Sequence, residues 1–285
     1  GAMALYNIVN KIGGFEVISR TFTGLIGKTK VLQLLVISWG FVSLLQGVAG
    51  FGTPVAVAAP LLVGLGFTPI TATASALIGR AWSVTFGSLG SSYGALLKMT
   101  KLDPGGLALW SSIFLTIVCF LTGLTISYLY QGKKSLKKGT PASLILAAGM
   151  GFTLIITANL VVPYIASLVA GMVGMIIGTF ILPKTRWYNN GGENLKENNS
   201  SSMNFHTAFS PYYILLILVF GIYLTPLKSI LSQFKIGLSF PKTSTALGIV
   251  NQATTSYSPI SIFITPGTLI FISVIISIFY FKKKN

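Results

Sequence analysis

Arg80 has an unusual setting in this sequence, because it lies inside the apolar, small-residue segment Thr71–Phe86, far from either end. If that segment crosses a membrane, a charge there costs at least ~2.5–3.5 kcal/mol, so the side chain normally faces protein or water. A guanidinium pairs with a carboxylate through two parallel hydrogen bonds, and no acid nearby in the sequence neutralises this one. Arg80 is therefore a candidate to bind an anion. The alternatives are a structural arginine capped by backbone carbonyls, one that extends to an interface, or a segment that lies at another depth.

A second group of candidates surrounds the run Gly47–Thr53, which contains Gly50, Gly52 and Thr53. Backbone N–H groups at the start of a half-helix favour anions, although a tight turn between packed helices would have a similar composition. Gln46, directly before this run, is uncharged and cannot carry a proton. Its amide can donate to a carboxylate or offer its oxygen to Na⁺.

Hydroxyl groups in the same region could hydrogen-bond a substrate hydroxyl, although hydroxyls in membrane helices usually bond to their own backbone. They are Thr53, Ser83, Thr85, Ser88, Ser91, Ser92 and Tyr93.

The rest of the sequence has few reactive side chains, with the single Cys119 in an apolar run and the single His206 in a polar loop. Asp103, before a Pro-Gly-Gly sequence, is interpreted as a helix cap. No cofactor and no metal-ligand cluster is expected, and the chain is not expected to be an enzyme.

These residues must be positioned by membrane helices, because 52% of the 285 residues are hydrophobic and only 8% are charged. The mean hydropathy is +0.78, whereas a soluble domain carries about 25% charged residues. The formal net charge of +16 is scattered through short segments between apolar runs, as expected for loops that face anionic lipid. We therefore predict an all-α, polytopic membrane protein in the cell membrane and no nucleic-acid partner.

Six segments are long and apolar enough to span a hydrocarbon core of about 30 Å. They are Val31–Gly50, Leu107–Tyr130, Thr140–Val161, Val162–Leu182, Pro211–Leu231 and Ile264–Phe281. The two that meet at Val162-Pro163 have almost no loop between them, which favours a tight helical hairpin over one kinked helix. The first residues are not a secretory signal. They look like the middle of an apolar element, which suggests that the chain is a fragment.

Basic clusters give the predicted orientation of a single transmembrane domain over residues 1–285. Four lysines, residues 133–138, are predicted to form a short cytoplasmic loop. The polar stretch 183–210 then returns to the same side as a flexible cytoplasmic linker. The C-terminus, with three lysines at 282–284, is predicted to be cytoplasmic as well. No function is assigned to the external segment Ser232–Phe263.

Residues 46–98 differ from the other apolar segments, because glycines and prolines interrupt them repeatedly. Glycine permits unusual backbone angles and proline breaks the helical hydrogen-bond ladder. Broken backbone at membrane depth is tolerated only when it is packed in protein or lines a wet cavity, and in transporters it marks the substrate site. We predict a re-entrant or broken-helix region here; close helix packing through small residues is the alternative.

The stretch QGVAGFGTP at 46–54, followed by VAVAAPLLVGLGF at 55–67 and VTFGSLG at 84–90, resembles the L-lactate permease family. That family has an E-G-A-A-G-F-G motif, so Gln46 replaces its glutamate, and Arg80 stands where relatives have an uncharged residue. The resemblance implies one repeat of a two-repeat ion-transporter fold, matched to the first half of proteins about twice as long. It further implies that the chain is a fragment, needs a second half, or forms a homodimer.

The resemblance implies a secondary active transporter, a symporter of L-lactate or a related 2-hydroxy monocarboxylate. Because Gln46 is uncharged, the coupling ion stays open between H⁺ carried by another residue, Na⁺ and none. The predicted substrate-binding residues are Arg80, Gln46, Gly50, Gly52, Thr53, Ser83 and Ser88. The alternative is an anion-selective, channel-like pore, which would show no saturation and no trans-stimulation. A further alternative is a partial chain that has no activity without its second half.

Overall fold

The computed structural model describes residues 2–27, 29–49, 52–100, 102–188, 203–244, 246, 248 and 250–284. Most of these residues are helical, which confirms the prediction of an all-α polytopic membrane protein. The helices are α1 (Ala2–Lys11), α2 (Gly14–Ile26), α3 (Lys30–Leu35), α4 (Val42–Ala49), α5 (Thr53–Gly64), α6 (Pro69–Arg80), α7 (Gly87–Thr100), α8 (Pro104–Ile156), α9 (Ala166–Ile176), α10 (Phe205–Tyr223), α11 (Leu227–Leu231) and α12 (Pro266–Lys284). Short π-helical segments cover Val36–Phe41, Thr157–Val161 and Ile177–Ile181.

Four helical stretches of the described residues are long and apolar enough to cross a membrane: Lys30–Val48, Pro104–Val161, Pro163–Lys184 and Phe205–Tyr223. Two shorter apolar helices cover Thr53–Gly64 and Gly267–Lys282. In an apolar 18-residue part of the first stretch every residue is buried, whereas only 28% of such a part of the second is buried. The bundle is therefore built around Lys30–Val48, with much of α8 on its outer, apolar surface.

Helix α8 is two antiparallel helices rather than one, because Gln131 and Gly132 leave the helical conformation. The Ser127 and Ser143 hydroxyls lie 3.0 Å apart, and the Thr116 hydroxyl lies 3.3 Å from the Gly151 carbonyl oxygen. Such pairing requires the chain to reverse at the break. The predicted loop at residues 133–138 is wrong in detail, since its lysines lie in the first turns of the second helix.

A second tight hairpin joins the end of α8 to α9. Val162 is extended, with φ −149° and ψ 114°, and Pro163 begins the next helical segment. Gly149 and Ile177 approach each other on the two sides of this turn. The predicted helical hairpin at Val162-Pro163 is therefore confirmed, and the single kinked helix is excluded.

The central helix runs from α3 through the π-helical segment into α4, and every side chain from Val31 to Val48 is buried. It packs antiparallel on α9 along a seam of glycines. A Cβ atom at Gly47 would overlap the backbone of Leu168, and one at Gly171 would overlap the backbone of Leu44. Small residues thus let two backbones meet at close range, as in many membrane helix pairs.

Helices α5 and α6 form a hairpin of two short helices beside the central helix. Each has 12 residues, or about 18 Å at 1.5 Å per residue, well short of a hydrocarbon core of about 30 Å. The turn at Leu65 and Gly66 lies at the start of α3, where the Lys30 ammonium donates to the Leu65 carbonyl oxygen. Lys30 also lies 5.5 Å from the centre of the Phe67 ring.

The bundle has two distinguishable ends. The tip of the α5–α6 hairpin and the break of α8 share one end, since the rings of Phe67 and Tyr130 are 5.3 Å apart. The Tyr188 hydroxyl donates to the Lys138 carbonyl oxygen at 2.6 Å, which brings the chain after α9 to the same end. We call this the basic end, because it carries the lysines of residues 133–138. The opposite end contains the turn at Val162-Pro163.

Helices α10 and α12 run antiparallel to each other, which places the last helix as well. The Tyr223 hydroxyl donates to the Ile264 carbonyl oxygen at 3.1 Å, and the Ser273 hydroxyl to the Pro211 carbonyl oxygen at 3.0 Å. Tyr223 lies beside Tyr164 at the opposite end, so α12 returns toward the basic end. The predicted span Pro211–Leu231 is shifted, because its helix begins at Phe205 and ends at Tyr223.

Two regions differ from the sequence prediction. The segment predicted as external contains strands β1 (Lys235–Phe240), β2 (Thr243–Ser244), β3 (Val250–Asn251) and β4 (Thr254–Ser261), so the fold is not purely helical. β1 pairs antiparallel with β4, and β2 with β3. At the other end of the chain, α1 and α2 pack against the core through buried residues such as Leu5, Val9, Ile18 and Phe22, although no helix was predicted there.

Candidate functional site

Gln46 lies at the centre of the bundle, with only 3% of its surface exposed. Its amide packs against Gly87, where a Cβ atom would come within 2.8 Å of the amide nitrogen. A side chain at position 87 would therefore displace the amide. Among the described residues the amide oxygen of Gln46 has no hydrogen-bond partner. A buried acceptor without a partner costs roughly 1–3 kcal/mol, so this oxygen is suited to receive a ligand or an ion.

Hydroxyl and indole groups form a polar layer beside Gln46. The Trp82 indole donates to the Ser43 hydroxyl at 2.9 Å, and the Ser43 hydroxyl lies 3.4 Å from the Gly79 carbonyl oxygen. A Cβ atom at Gly79 would overlap the Ser38 carbonyl oxygen, which shows how closely α6 approaches the central helix. The side chains of this layer are uncharged and buried. They fix the position of α6 relative to the central helix and do not attract ions through a net charge.

Ser83 connects the broken segment after α6 to α9. Its hydroxyl donates to the Arg80 carbonyl oxygen at 3.0 Å, and its own carbonyl oxygen accepts from the Ser167 hydroxyl at 3.2 Å. Ser83 is fully buried. Its hydroxyl is therefore occupied by backbone, and a substrate would have to displace that bond.

The start of α7 is a left-handed turn. Ser88, Leu89 and Gly90 have φ values of 49°, 52° and 65°. Left-handed geometry costs roughly 1–2 kcal/mol for each residue with a side chain, and it persists only where the surroundings impose it. A Cβ atom at Gly90 would come within 2.8 Å of Tyr164. Helix α6 ends at Arg80 and α7 begins at Gly87, so the left-handed turn gives the chain a new direction next to Gln46. We call α6 and α7 together the broken helix.

Arg80 is the last residue of α6 and is half-buried. Its neighbours on that face are apolar and exposed, with Leu77 at 51% and Val84 at 38%. No carboxylate of the described residues pairs with its guanidinium. Because Gly79 touches the middle of the central helix, this cation stands at mid-height on a face that is otherwise apolar. The structure does not bring it into contact with Gln46.

The remaining candidates lie around the start of α5. Gly52 caps this helix in the left-handed conformation, with φ 97°, as only glycine does readily. Thr53 is buried and lines a small apolar cavity with Leu44 and Val48, on a different side of α4 from Gln46. Gly50 lies outside the described residues. The structure thus places Ser88, the neighbour of Gly87, beside Gln46. It connects Ser83 to α9 through Ser167 and puts Thr53 in a cavity that Gln46 does not line.

Three residues of this layer were not singled out by sequence reasoning: Ser43, Trp82 and Ser167. Each sits in an apolar run where a single polar group has no local pattern around it. The only available signal was position, because Ser43 lies three residues before Gln46 and faces the same broken helix. Ser167 lies 84 residues after Ser83, to which it is bonded, so sequence spacing carries no information about this contact.

The buried polar layer, the broken helix and the apolar surface together define a polytopic α-helical membrane protein with a broken helix beside its central helix. The chain belongs to the L-lactate permease family, whose family model matches residues 1–285. The family and its relatives are permeases rather than enzymes. No solved structure gives a significant match to the chain.

Three relatives illustrate the similarity. The glycolate permease GlcA of Escherichia coli strain K12 is 28% identical over 98% of this chain and 55% of its own length. An L-lactate permease of Halalkalibacterium halodurans is 28% identical over 81% of this chain and 45% of its own. An L-lactate permease of Salmonella typhi is 30% identical over 65% of this chain and 33% of its own. The chain therefore spans about half the length of the curated relatives it matches.

Proposed function

We propose that the chain is part of a secondary active transporter that moves L-lactate, glycolate or a related 2-hydroxy monocarboxylate across the cell membrane. Relatives named for lactate and for glycolate support this substrate class. Gln46, with its buried and unpartnered amide oxygen next to the left-handed turn, is the observation that carries the proposal. Many transporters bind their substrates where discontinuous helices break near the middle of the membrane.

The substrate contacts follow from this placement. The amide of Gln46 donates to the carboxylate, and its oxygen takes the substrate hydroxyl or a coupling ion. Ser88 follows Gly87, which packs against that amide, so its hydroxyl joins the substrate contacts. Ser83 joins them only by giving up its bond to the Arg80 carbonyl oxygen. Coupling by H⁺ would need another proton carrier, because an amide does not titrate; coupling by Na⁺ would use the free amide oxygen.

Arg80 supports the proposal in a different way. A guanidinium on an apolar surface at mid-height is costly in lipid, by ~2.5–3.5 kcal/mol on insertion scales. This cost is avoided if further polypeptide covers the face that carries Arg80 and lines a water-filled path together with it. Since the curated relatives are about twice as long, we infer that a second half or a second copy of the chain completes the site around Arg80.

The membrane orientation is part of the proposal. The basic end carries the lysines of residues 133–138, and α12 runs back toward it, so the positive-inside rule places the basic end and the C-terminus in the cytoplasm. The opposite end, with the strands and the Val162-Pro163 turn, then faces outward.

Uptake of labelled L-lactate into liposomes that contain only this purified chain tests the proposal, with and without an inward H⁺ or Na⁺ gradient. We expect uptake that saturates and is stimulated by unlabelled L-lactate on the other side of the membrane. Linear, non-saturating flux without such stimulation would favour the channel-like pore instead. If co-reconstitution with a separately expressed second half is needed for any uptake, the chain is one half of the site.

A further inference from the structure

A cavity of about 890 Å³ opens at the end of the bundle opposite the basic end. Its walls come from α7, the turn before α9, the end of α10, α11 and the segment that precedes α12. Two lysines, Lys98 and Lys228, line it together with Tyr164 and Tyr223. A cavity of this size holds a small organic acid with room for water.

Lys228 is held in place by aromatic rings and not by an acid. Its ammonium lies 4.6 Å from the centre of the Tyr164 ring and 5.2 Å from that of Tyr223. No carboxylate or other hydrogen-bond acceptor of the described residues pairs with it. Burial lowers the pKa of Lys228, because the charge is partly withdrawn from water. This half-buried cation is therefore oriented but electrostatically unsatisfied.

Lys98 is fixed differently. It is exposed, and its ammonium donates to the Pro259 carbonyl oxygen at 3.2 Å. This bond ties α7 to the strand region and leaves the charge at the rim of the cavity. The rim cation raises the local concentration of anions, whereas Lys228 stands deeper, against the rings.

The inner wall of the cavity is the left-handed turn of the broken helix. Leu89, Gly90 and Ser91 line it, and the Ser91 hydroxyl is buried without a hydrogen-bond partner among the described residues. Gly90 touches Tyr164, and Gly87, three residues earlier, touches Gln46. The cavity thus lies on the other side of a single turn from the buried amide.

We propose that this cavity is a vestibule that binds small carboxylates, with Lys228 pairing with the carboxylate and Ser91 donating to it. The inference rests on the proposed function in that it treats this carboxylate as the transported one, captured before it reaches Gln46. A lysine suits capture, because its point charge accepts carboxylates in many orientations and releases them more readily than the bidentate fork of arginine.

Ligand protection of the lysines tests the vestibule without requiring transport. The chain is placed in nanodiscs of zwitterionic lipid and treated with an amine-specific acylating reagent, and labelling of each lysine is followed by peptide mass spectrometry. We expect saturating L-lactate to slow labelling of Lys228 by roughly fivefold or more, as a charge-assisted bond of ordinary strength would. Lys235, exposed in β1 outside the cavity, is the matched control and should not change.

Lactamide, the uncharged amide of lactate, separates the roles of charge and shape. It should leave Lys228 as reactive as it is without ligand. Lys228→Gln should weaken L-lactate binding, measured by titration calorimetry, by about tenfold or more, and Lys228→Arg should retain most of it. Lys235→Gln should bind as the unchanged chain does.

The vestibule would be overturned if Lys228 were labelled equally with and without L-lactate, or if lactamide protected it as well as L-lactate does. It would also be overturned if only anionic lipid protected Lys228, because the cavity would then bind a lipid headgroup. These outcomes are distinct from failure of the proposed function. If L-lactate protects Lys228 but the chain shows no uptake, the vestibule is supported and transport by this chain alone is rejected. If the chain shows uptake but Lys228 is not protected, transport is supported and the vestibule is rejected.

Discussion

The central helix has two contrasting faces. Toward α9 it presents glycines and apolar side chains, and the backbones meet so closely that a Cβ atom at Gly47 or Gly171 would overlap the neighbouring chain. Toward the broken helix it presents Ser38, Ser43 and Gln46, and two of these, Ser38 and Gln46, have oxygen atoms without partners among the described residues. One face is satisfied by packing, and the other retains unused hydrogen-bonding capacity.

This difference separates scaffold from site. A seam of two backbones in van der Waals contact resists change, because close-packed interfaces lose contacts as soon as they shift. A polar face with free acceptors can exchange partners at low cost when a ligand supplies them. We infer that the seam with α9 is the scaffold of this region and that the free acceptors of the polar face are where a ligand binds.

Gly171→Ala should have the largest effect, because it attacks the seam directly. The new methyl group would collide with the backbone of Leu44, and backbone atoms cannot avoid the clash by a change of side-chain rotamer. Overpacking of this kind costs roughly 1–3 kcal/mol and sometimes more. The measurement is the midpoint of thermal unfolding in detergent, together with the monodisperse fraction on size-exclusion chromatography.

Gly221→Ala is the matched control for the seam. Gly221 lies within α10 and has open space around the position of a Cβ atom, so alanine should be neutral or slightly stabilising there. If Gly171→Ala unfolds at the same temperature as Gly221→Ala, the seam is not the rigid element that the comparison requires.

Arg80→Gln should have the next largest effect, on binding and not on folding. Arg80 has no carboxylate partner among the described residues, so its loss leaves no buried charge behind and membrane insertion should be unharmed. If the cation meets the substrate carboxylate, the half-saturating L-lactate concentration should rise by about tenfold, the value of one charge-assisted hydrogen bond. Arg186→Gln, an exposed change after α9, is the control, and equal affinity in the two variants would remove Arg80 from the site.

Composition and glycine spacing predicted the membrane class and located the region that breaks. The interruption of α6 and α7 lies inside the predicted segment 46–98, because Gly-rich sequence with intervening prolines has few helical solutions. The site was predicted less completely than the membrane class. The polar layer near Gln46 includes Ser167, whose position is set only after the chain has passed through two hairpins. That register is set by the glycine seam, which is a property of tertiary packing.

The strands and the first two helices were missed for different reasons. Ile236, Leu238 and Phe240 alternate with polar or small residues in β1, a period-two pattern that predicts a strand when it is looked for between spans. In α2, Ile18 and Phe22 recur at helical spacing and are buried, but the helix is too short to register as a span.

Gln46→Glu should have the smallest effect on stability and the most specific effect on function. The polar face would gain a carboxyl group, which can carry a proton where the amide cannot. The new carboxyl would then be protonated at low external pH and lose its proton as pH rises. Uptake of L-lactate should therefore fall more steeply with rising external pH than it does in the unchanged chain.

Gln33→Glu, a change at a buried glutamine of the same helix near the basic end, is the control, since it should not steepen the pH profile. A flat profile for Gln46→Glu would mean that position 46 binds no coupling proton, and that the free oxygen on this face belongs to the substrate or to Na⁺.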